Sequence, residues 1–391
     1  MYFGQTTAIK EARRFYGSKT CVVTGRSEHN PWHHLDENHK NWVAANILPV
    51  SPNINHYIEQ LRKNPLNPVP GVISPEYLRL RAREHWAYGR FACCYGCSRL
   101  GSFIALKHYR DPDLAIQFST GALQALRPLA NNYYAEDTVD RSLLKILWHP
   151  HNFSKVRIDT LLALCKEIAS YFLDHGNYQE FFSWTRLAQD IVTGCKVENT
   201  VSLDLSQARL LQHIAFGRLA RSDWDARNLL AETNAIMRDL NYTFGLSTNA
   251  QHLSLSYLKE GKIEQAEGVI EETSREFGVI EILAHVGTPY HLGHYSWWTY
   301  SRLLLVCAEL EFAKGQGNAA FEYVNGALDI IAARRILALG DTTFQTLWQY
   351  FNRYPHDRRR IESQTGGGVS VVYKNLTSQI HELLRQRLGL R

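Results

Sequence analysis

The feature that most constrains the fold of this chain is a helix–turn–helix pattern repeated along its middle. Each copy has an apolar helical stretch, a short turn containing Gly, Asn or Asp, and a second helical stretch with small residues on one face. The copies span residues 161–192, 208–237, 249–278 and 301–333, with a weaker one at 99–126. Stacked helix pairs bury their apolar faces against neighbouring pairs. We therefore predict a large all-α domain over residues 111–351, either a stacked array or a generic helical bundle.

The turns of this pattern set its spacing. Their centres, near Gly176, Ser222, Gly261 and Gly315, are 46, 39 and 54 residues apart. This spacing is irregular and longer than the ~34 residues of a tetratricopeptide repeat. Residues 257–268 most resemble such a repeat, because the turn glycine ends one helix and an alanine opens the close-packed face of the next. The resemblance implies a degenerate tetratricopeptide-like array whose surface binds a protein partner.

Composition excludes several classes of protein. The chain has 391 residues, of which 45% are hydrophobic and 12% aromatic, so it is not a disordered chain. It contains no run of about 18 apolar residues, so we expect no transmembrane helix. Residues 1–17 carry charges where a signal peptide needs an apolar segment, and seven cysteines over this length do not indicate a disulfide scaffold. We therefore expect a cytoplasmic protein with no membrane insertion.

Residues 1–63 have a different pattern from the helical middle. Apolar segments at residues 20–24 and 32–35 predict two short strands, joined by a loop that begins at Gly25. A polar connection then leads to residues 47–50, and Pro52 predicts the start of a helix that ends near Leu61. The predicted order is strand, strand, loop and helix.

Three motifs within residues 17–62 carry a family resemblance. They are the opening Cys21-Val-Val-Thr-Gly25, the pair His33-His34, and the segment Asn46-Ile-Leu-Pro-Val50. Together they resemble the HNH endonuclease family, also called His-Me finger or ββα-metal nucleases. The resemblance implies an α+β fold class in which a small ββα-metal nuclease domain at residues 1–63 precedes the all-α helical-repeat domain. It also implies an enzyme that hydrolyses DNA phosphodiester bonds.

The resemblance assigns roles to single residues of these motifs. His33 would be a metal ligand, and His34 would be the general base that deprotonates the attacking water. Asn46 would orient that base or stabilise its loop. Imidazole suits the second role because it exchanges a proton near neutral pH.

The second metal ligand stays open at the level of sequence. Asn55 lies nine residues after the motif asparagine, as the family pattern has it, whereas His56 fits if the loop carries an insertion. Glu59 lies one helical turn beyond Asn55 on the same face and is a further candidate. Imidazole, carboxamide and carboxylate ligands suit one divalent metal ion with open positions, Mg²⁺ first, with Mn²⁺ or Ni²⁺ as alternatives.

Charge indicates where DNA would bind. Residues 1–110 carry 15 Lys and Arg against 7 Asp and Glu, residues 111–351 carry 20 against 28, and residues 352–391 carry 8 against 3. Next to a nuclease, the basic excess after residue 61 is typical of a surface that contacts the phosphate backbone, and a solvated helix face is the alternative. The candidate DNA-binding residues are Arg62, Lys63, Arg79, Arg81, Arg83 and Arg90.

Two functions from different classes follow. The first is a metal-dependent DNA endonuclease that nicks or cleaves with low sequence specificity, because the chain has no recognition-helix signature. The second is a helical-repeat scaffold with a non-catalytic HNH remnant that binds nucleic acid. An HNH domain joined to a helical module is similar to bacterial anti-phage effectors of Zorya-type systems, and this resemblance implies a role in antiviral defence.

The remaining segments complete the predicted organisation. Residues 64–73 form a Pro-rich linker, and residues 74–110 a basic connecting helix with Ser74 as N-cap and Pro75 in its first turn. Cys93, Cys94 and Cys97 fall in that helix among small residues, so we expect buried structural thiols and not a zinc site. In the basic tail, residues 352–391, we predict a strand or turn at 369–373 and a helix at 376–388.

Overall fold

A computed structural model describes most of the chain. The described residues are 3–16, 20–26, 31–35, 44–63, 73–129, 131–194, 201–240, 242–277, 297–334 and 370–390. The Pro-rich linker, except its last residue, and the basic loop at 352–369 lie outside them. These residues are mostly helical and include one small two-stranded sheet, and the chain divides into two compact units. The first unit is residues 1–164 with 369–389, and the second is residues 165–368 with 390–391.

The first unit contains the sheet and its surrounding helices. Its N-terminal elements are α1 (Phe3–Tyr16), β1 (Trp32–His34), a 3₁₀ turn (Ala44–Asn46), β2 (Ile47–Pro49) and α2 (Pro52–Lys63). They are followed by α3 (Pro75–Ala87), α4 (Phe91–Lys107), α5 (Pro112–Leu126), α6 (Asn132–Thr138), a π-helical turn (Val139–Leu144), α7 (Lys145–Trp148) and α8 (Pro150–Phe153).

The described elements of the second unit are all helices. The boundary with the first unit falls inside α9 (Ile158–Asp174). The helices of the second unit after α9 are α10 (Tyr178–Gly194), α11 (Val201–Ala220), α12 (Arg227–Asp239), α13 (Thr243–Lys259), α14 (Ile263–Phe277), α15 (Trp297–Ala313) and α16 (Gly317–Arg334). The last helix of the chain, α17 (Val371–Leu388), belongs to the first unit and packs there against α6, α7 and the π-helical turn.

Helices are present at all five predicted pairs, and backbone geometry explains the turns of four of them. The φ angles of Gly176, Ser222, Gly261 and Gly315 are 67°, 64°, 75° and 77°. This left-handed conformation ends a helix and reverses the chain, and glycine adopts it without steric cost. Helices α11 and α12, α13 and α14, and α15 and α16 pack as pairs, and α12 also contacts α13. The helical region predicted from sequence is therefore present.

Helix α4 is the centre of the first unit. Nearly all its side chains are buried, and two glycines allow neighbours to approach closely. A Cβ atom at Gly96 would lie 2.4 Å from Val22, and one at Gly101 would lie 2.5 Å from Phe118. The Cys97 thiol donates a hydrogen bond to the Val22 carbonyl oxygen at 3.0 Å. The small residues around the cysteines thus serve close packing, as predicted.

The strand predicted at residues 20–24 is wrong. This segment is a turn, in which the Gly25 amide donates to the Cys21 carbonyl oxygen at 2.8 Å and the Cys21 amide donates to the Arg26 carbonyl oxygen at 3.0 Å. Gly25 has a φ of 71°, which reverses the chain. The Cys21 sulfur accepts amide hydrogen bonds from Thr24 at 3.4 Å and Ser51 at 3.2 Å. The second strand of the sheet is β2 instead.

Three helix boundaries also differ from the predictions. Ser74 caps α3 through a hydrogen bond from the Tyr77 amide, as predicted, but the helix ends at Ala87 because Gly89 has a φ of 64°. The predicted single helix over 74–110 is therefore two helices, α3 and α4. The tail helix begins at Val371 and not near 376, because the Ser370 hydroxyl caps it, so the strand or turn predicted at 369–373 is wrong. Sequence analysis did not predict α1.

Among the described residues, no helix combines the length and the apolar character that crossing a membrane requires.

His85, which contacts the turn at 20–26, makes the stability of the fold depend on pH. Its ring is buried and its Nε2 lies 3.1 Å from the Val23 carbonyl oxygen. Burial, with the nearby charges of Arg81 and Arg90, lowers its pKa from 6.5 to about 4. The unfolded chain therefore binds a proton that the folded chain does not bind between these two pH values, so stability falls as pH falls through this window and is fully present above it.

We expect acidification from pH 6.5 to 4 to cost about 3 kcal/mol of unfolding free energy through His85 alone. His85→Gln keeps a side-chain N–H for the carbonyl oxygen but does not titrate, so its stability should change less over the same window. Denaturant unfolding followed by tryptophan fluorescence measures both proteins. Equal pH dependence in wild type and variant would show that His85 is not the titrating group.

Candidate functional site

The sheet and the helix after it position the motif residues. Strands β1 and β2 are antiparallel, with His33 opposite Leu48 and His34 opposite Ile47. After β2 the Ser51 hydroxyl accepts a hydrogen bond from the Ile54 amide at 3.4 Å. Pro52 suits the first position of the helix, because the amide hydrogen at that position would have no partner within the helix. These features start α2 directly beside the sheet.

One pair of predicted metal ligands meets at this point. His33 Nδ1 lies 3.2 Å from Asn55 Oδ1, although the residues are 22 positions apart in sequence. Atoms at this separation form a hydrogen bond when Nδ1 carries a proton. When Nδ1 carries no proton, this nitrogen and the Asn55 Oδ1 oxygen are two neighbouring atoms that can each donate an electron pair to a metal ion. Ligand bonds of about 2.1 Å in an octahedral ion place adjacent donors about 3 Å apart, so the spacing of this pair fits one divalent ion.

His34 and Asn46 are close to this pair in sequence but have different surroundings. Adjacent residues of a strand project to opposite faces, so the His34 ring leaves β1 on the face opposite to His33. His34 is 2% exposed and Asn46 is 3% exposed. The Asn46 carbonyl oxygen accepts a hydrogen bond from the Leu35 amide at 2.8 Å, which joins the 3₁₀ turn to the end of β1.

The alternatives for the helix ligand are separated by the geometry of α2. Asn55 is partly buried and faces His33, whereas His56 is exposed and its Nε2 accepts a hydrogen bond from the Gln60 amide at 3.4 Å. Glu59 is partly buried and follows Asn55 by one helical turn. Within the described ranges, no three His, Cys, Asp or Glu side chains are grouped closely enough to hold a metal ion. Of the three candidate ligands on α2, the described structure brings Asn55 into contact with His33.

The cysteines of α4 are packing groups. Burial raises the pKa of Cys93 to about 11 and that of Cys94 to about 12, so both are neutral thiols near pH 7. Cys21, at the turn that packs on α4, is also buried and free.

The predicted DNA-binding arginines differ in what they contact. Arg81 donates to the carbonyl oxygens of Val23 at 2.9 Å and Thr24 at 3.1 Å, and it also pairs with Glu84. It therefore holds the turn at 20–26 to α3. Arg79 donates to Gln117 at 2.8 Å, and Arg83 is exposed.

The other three residues predicted to bind DNA lie at the end of α2 and at the start of α4. Arg90 is exposed, with its guanidinium 5.6 Å from the centre of the Tyr88 ring. Arg62 and Lys63 belong to the last turn of α2, and their side chains are outside the described part of the structure. Of the described arginines of this set, Arg83 and Arg90 are thus the most available to a ligand.

A cavity of about 540 Å³ lies against the motif and was not predicted from sequence. Leu35 and Asn46 line one side of it, and Phe103 of α4 lines another. The Phe103 ring also lies 6.4 Å from the ring of His33, centre to centre. The cavity is therefore adjacent to both the sheet and the His33–Asn55 pair.

The cations of this cavity come from two distant parts of the chain. They are Arg99, Lys107, Arg141 and Lys145. The first two lie in the basic segment that sequence analysis identified, but the last two lie in the acidic middle of the chain. Net charge by segment gave no signal for them.

No family model, curated protein or solved structure matches this chain.

Proposed function

We propose that this protein is a metal-dependent HNH-type endonuclease that nicks or cleaves DNA with low sequence specificity. The observation that carries the proposal is the approach of His33 Nδ1 to Asn55 Oδ1 at 3.2 Å. The family resemblance names these two residues as ligands of one ion, and β1, β2 and α2 bring them together across the intervening sequence. The contact supports the proposal because it joins two residues to which the resemblance gives one task.

In the proposed reaction each motif residue has one task. His33 and Asn55 hold a divalent ion, Mg²⁺, Mn²⁺ or Ni²⁺, which when bound stabilises charge on the phosphate and on the leaving 3′-oxygen. His34 takes the proton of the attacking water, and Asn46 orients that base or stabilises its loop. The two histidines do different work although they are neighbours.

The rest of the chain would deliver and control the substrate. Arg83 and Arg90, which are exposed, contact the DNA backbone without reading its sequence, because phosphate contacts carry no base information. The helical-repeat surface recruits or regulates the nuclease through a protein partner, in a role such as antiviral defence. Arg81 is left out of the DNA-binding set, because backbone carbonyl oxygens already occupy its guanidinium.

Two features of His34 favour one alternative, a scaffold whose HNH remnant binds nucleic acid without cutting it: its ring is 2% exposed, and it leaves β1 on the face opposite to His33. Incubation of a supercoiled plasmid with the full chain distinguishes the two. The nuclease converts the plasmid to open-circular or linear DNA in Mg²⁺ or Mn²⁺ and stops when a chelator is added. Retardation of the plasmid with no cleavage in Mg²⁺, Mn²⁺ or Ni²⁺ would reject the nuclease and support the remnant.

A further inference from the structure

The cavity beside the motif has a lining whose charge is strongly positive. Arg99, Lys107, Arg141 and Lys145 contribute four cations, and among the described residues no acidic side chain lines the cavity. One carboxylate, that of Asp137, lies behind two of the cations. An anion is therefore the kind of ligand that this lining favours.

The arginines of the cavity are held in place before any ligand arrives. Arg99 is buried and pairs with Asp137 at 2.7 Å, and its guanidinium also contacts the Ser142 hydroxyl. Arg141 pairs with the same carboxylate at 2.9 Å. The shared acid fixes both guanidinium groups and offsets part of their positive charge, so the exposed Lys107 and Lys145 are the cations most available to an anion. Guanidinium groups and hydroxyls are also the donors that phosphate oxygens accept.

Local backbone structure explains why these donors converge. Arg141 and Ser142 belong to the π-helical turn between α6 and α7, and Lys145 is the first residue after that turn. A π-helical turn widens a helix and shifts the direction of its side chains, and such turns are frequent at functional sites. Here the turn directs side chains toward α4, which supplies Lys107 at its last position.

Apolar side chains also line the cavity. Phe103, Leu106 and Ile146 line it together with Leu35. An aromatic ring and aliphatic side chains provide a surface on which a nucleobase can stack, and the cations bind its phosphate. A volume of about 540 Å³ is in the range of small-ligand sites, and it holds a nucleotide but not a duplex.

We propose that this cavity binds a nucleotide through its phosphate, with the base against Phe103. The nucleotide is either one unit of a DNA strand or a free nucleoside phosphate, because both present the same chemistry to the cavity. Its position beside Asn46 and Leu35 would place a bound strand next to the motif. The assignment to a strand rests on the proposed nuclease function, whereas the binding of nucleotide phosphate does not.

The test measures binding and not cleavage. The full chain is titrated with ATP and, separately, with a short fluorescein-labelled single-stranded DNA, in the presence of a chelator. The cavity variant is Lys107→Glu/Lys145→Glu, since both side chains are exposed and their replacement spares the buried pairs. The matched control, Lys155→Glu/Lys259→Glu, changes the charge equally at exposed lysines that do not line the cavity.

We expect the cavity variant to bind ATP or the labelled strand, whichever the wild-type protein binds, about tenfold more weakly than the control variant does. For the labelled strand, its slope of log affinity against log salt should also fall by about 0.7 for each phosphate that the variant no longer neutralises. A second variant, Phe103→Ala, should weaken binding without changing the salt slope, because it removes stacking and not charge. Tight binding of ATP identifies a free nucleotide as the ligand, whereas binding of the strand alone identifies DNA.

The proposal is overturned if neither probe binds, or if the cavity and control variants are weakened equally. These outcomes are distinct from failure of the nuclease. A protein that binds either probe through the cavity but never nicks a plasmid disproves the proposed function and leaves the cavity site standing. A protein that nicks a plasmid, with the cavity variant matching the control in binding, disproves the cavity site alone.

Discussion

Replacing His34 with alanine should lower the rate of plasmid nicking by about 10²–10⁴-fold while leaving DNA affinity nearly unchanged. A general base acts in the transition state, so its removal reduces the rate of the chemical step and not the strength of docking. The measurement is the initial rate of conversion of supercoiled plasmid in excess Mg²⁺, together with DNA affinity in the presence of a chelator.

Burial of His34 requires controls for folding. The ring is 2% exposed, so alanine removes packed volume and destabilises the first unit. His34→Gln fills more of that volume without providing a base, and His151→Ala changes an exposed histidine of the same unit. Added imidazole should restore part of the activity of His34→Ala, because it can supply the missing base. A folded His34→Ala protein that nicks at the wild-type rate would remove His34 from the reaction.

Local signals in the sequence predicted the helical part of the fold well. Residues such as Gly261 and Gly315 mark positions where the backbone must take a positive φ, and Ser74 offers a hydroxyl to an exposed helix end. These requirements act within a few residues, so the sequence around each position contains them. The same kind of signal, Gly89, marks the break between α3 and α4, but the helical pattern on both sides concealed it.

The strands were harder to predict because their partners are distant. The apolar residues at 20–24 have the composition of a strand, yet they form a turn whose carbonyl oxygens bond to Arg81, His85 and Cys97 from α3 and α4. These tertiary contacts outweigh local β-propensity. Tertiary contacts also explain Arg81. Its charge indicated DNA binding, but its guanidinium donates hydrogen bonds to the carbonyl oxygens of this turn.

The sequence indicated one part of the candidate site, the motif residues, but not the other part, the cavity. The family resemblance implied that His33 shares a metal ion with Asn55 or His56, and in the structure Asn55 is the residue that lies 3.2 Å from His33. Nothing in the spacing predicted the cavity, because Arg99 and Arg141 are 42 residues apart and meet only through Asp137. A site assembled from two helices without a sequence motif becomes visible only in three dimensions.

The second large effect concerns the helix ligand. Asn55→Ala should raise the Mg²⁺ or Mn²⁺ concentration needed for half-maximal nicking by about tenfold to a hundredfold, because it removes one of two protein donors. His56→Ala should change this concentration little, since His56 is exposed and bonded to Gln60. Glu59→Ala should have an intermediate effect through the charge that it contributes near Asn55.

Calorimetric titration with Mn²⁺ in the absence of DNA measures the same ligands without relying on activity. Asn55→Ala should weaken Mn²⁺ binding, Asn55→Asp should keep it because a carboxylate supplies the same oxygen donor, and Asn53→Ala is the matched control on the exposed side of α2. If Asn55, His56 and Glu59 variants all titrate like wild type, the second ligand is not on α2. The contact between His33 and Asn55 is then a structural hydrogen bond that fixes the helix against the sheet, and the role of His34 must be judged by its own variant.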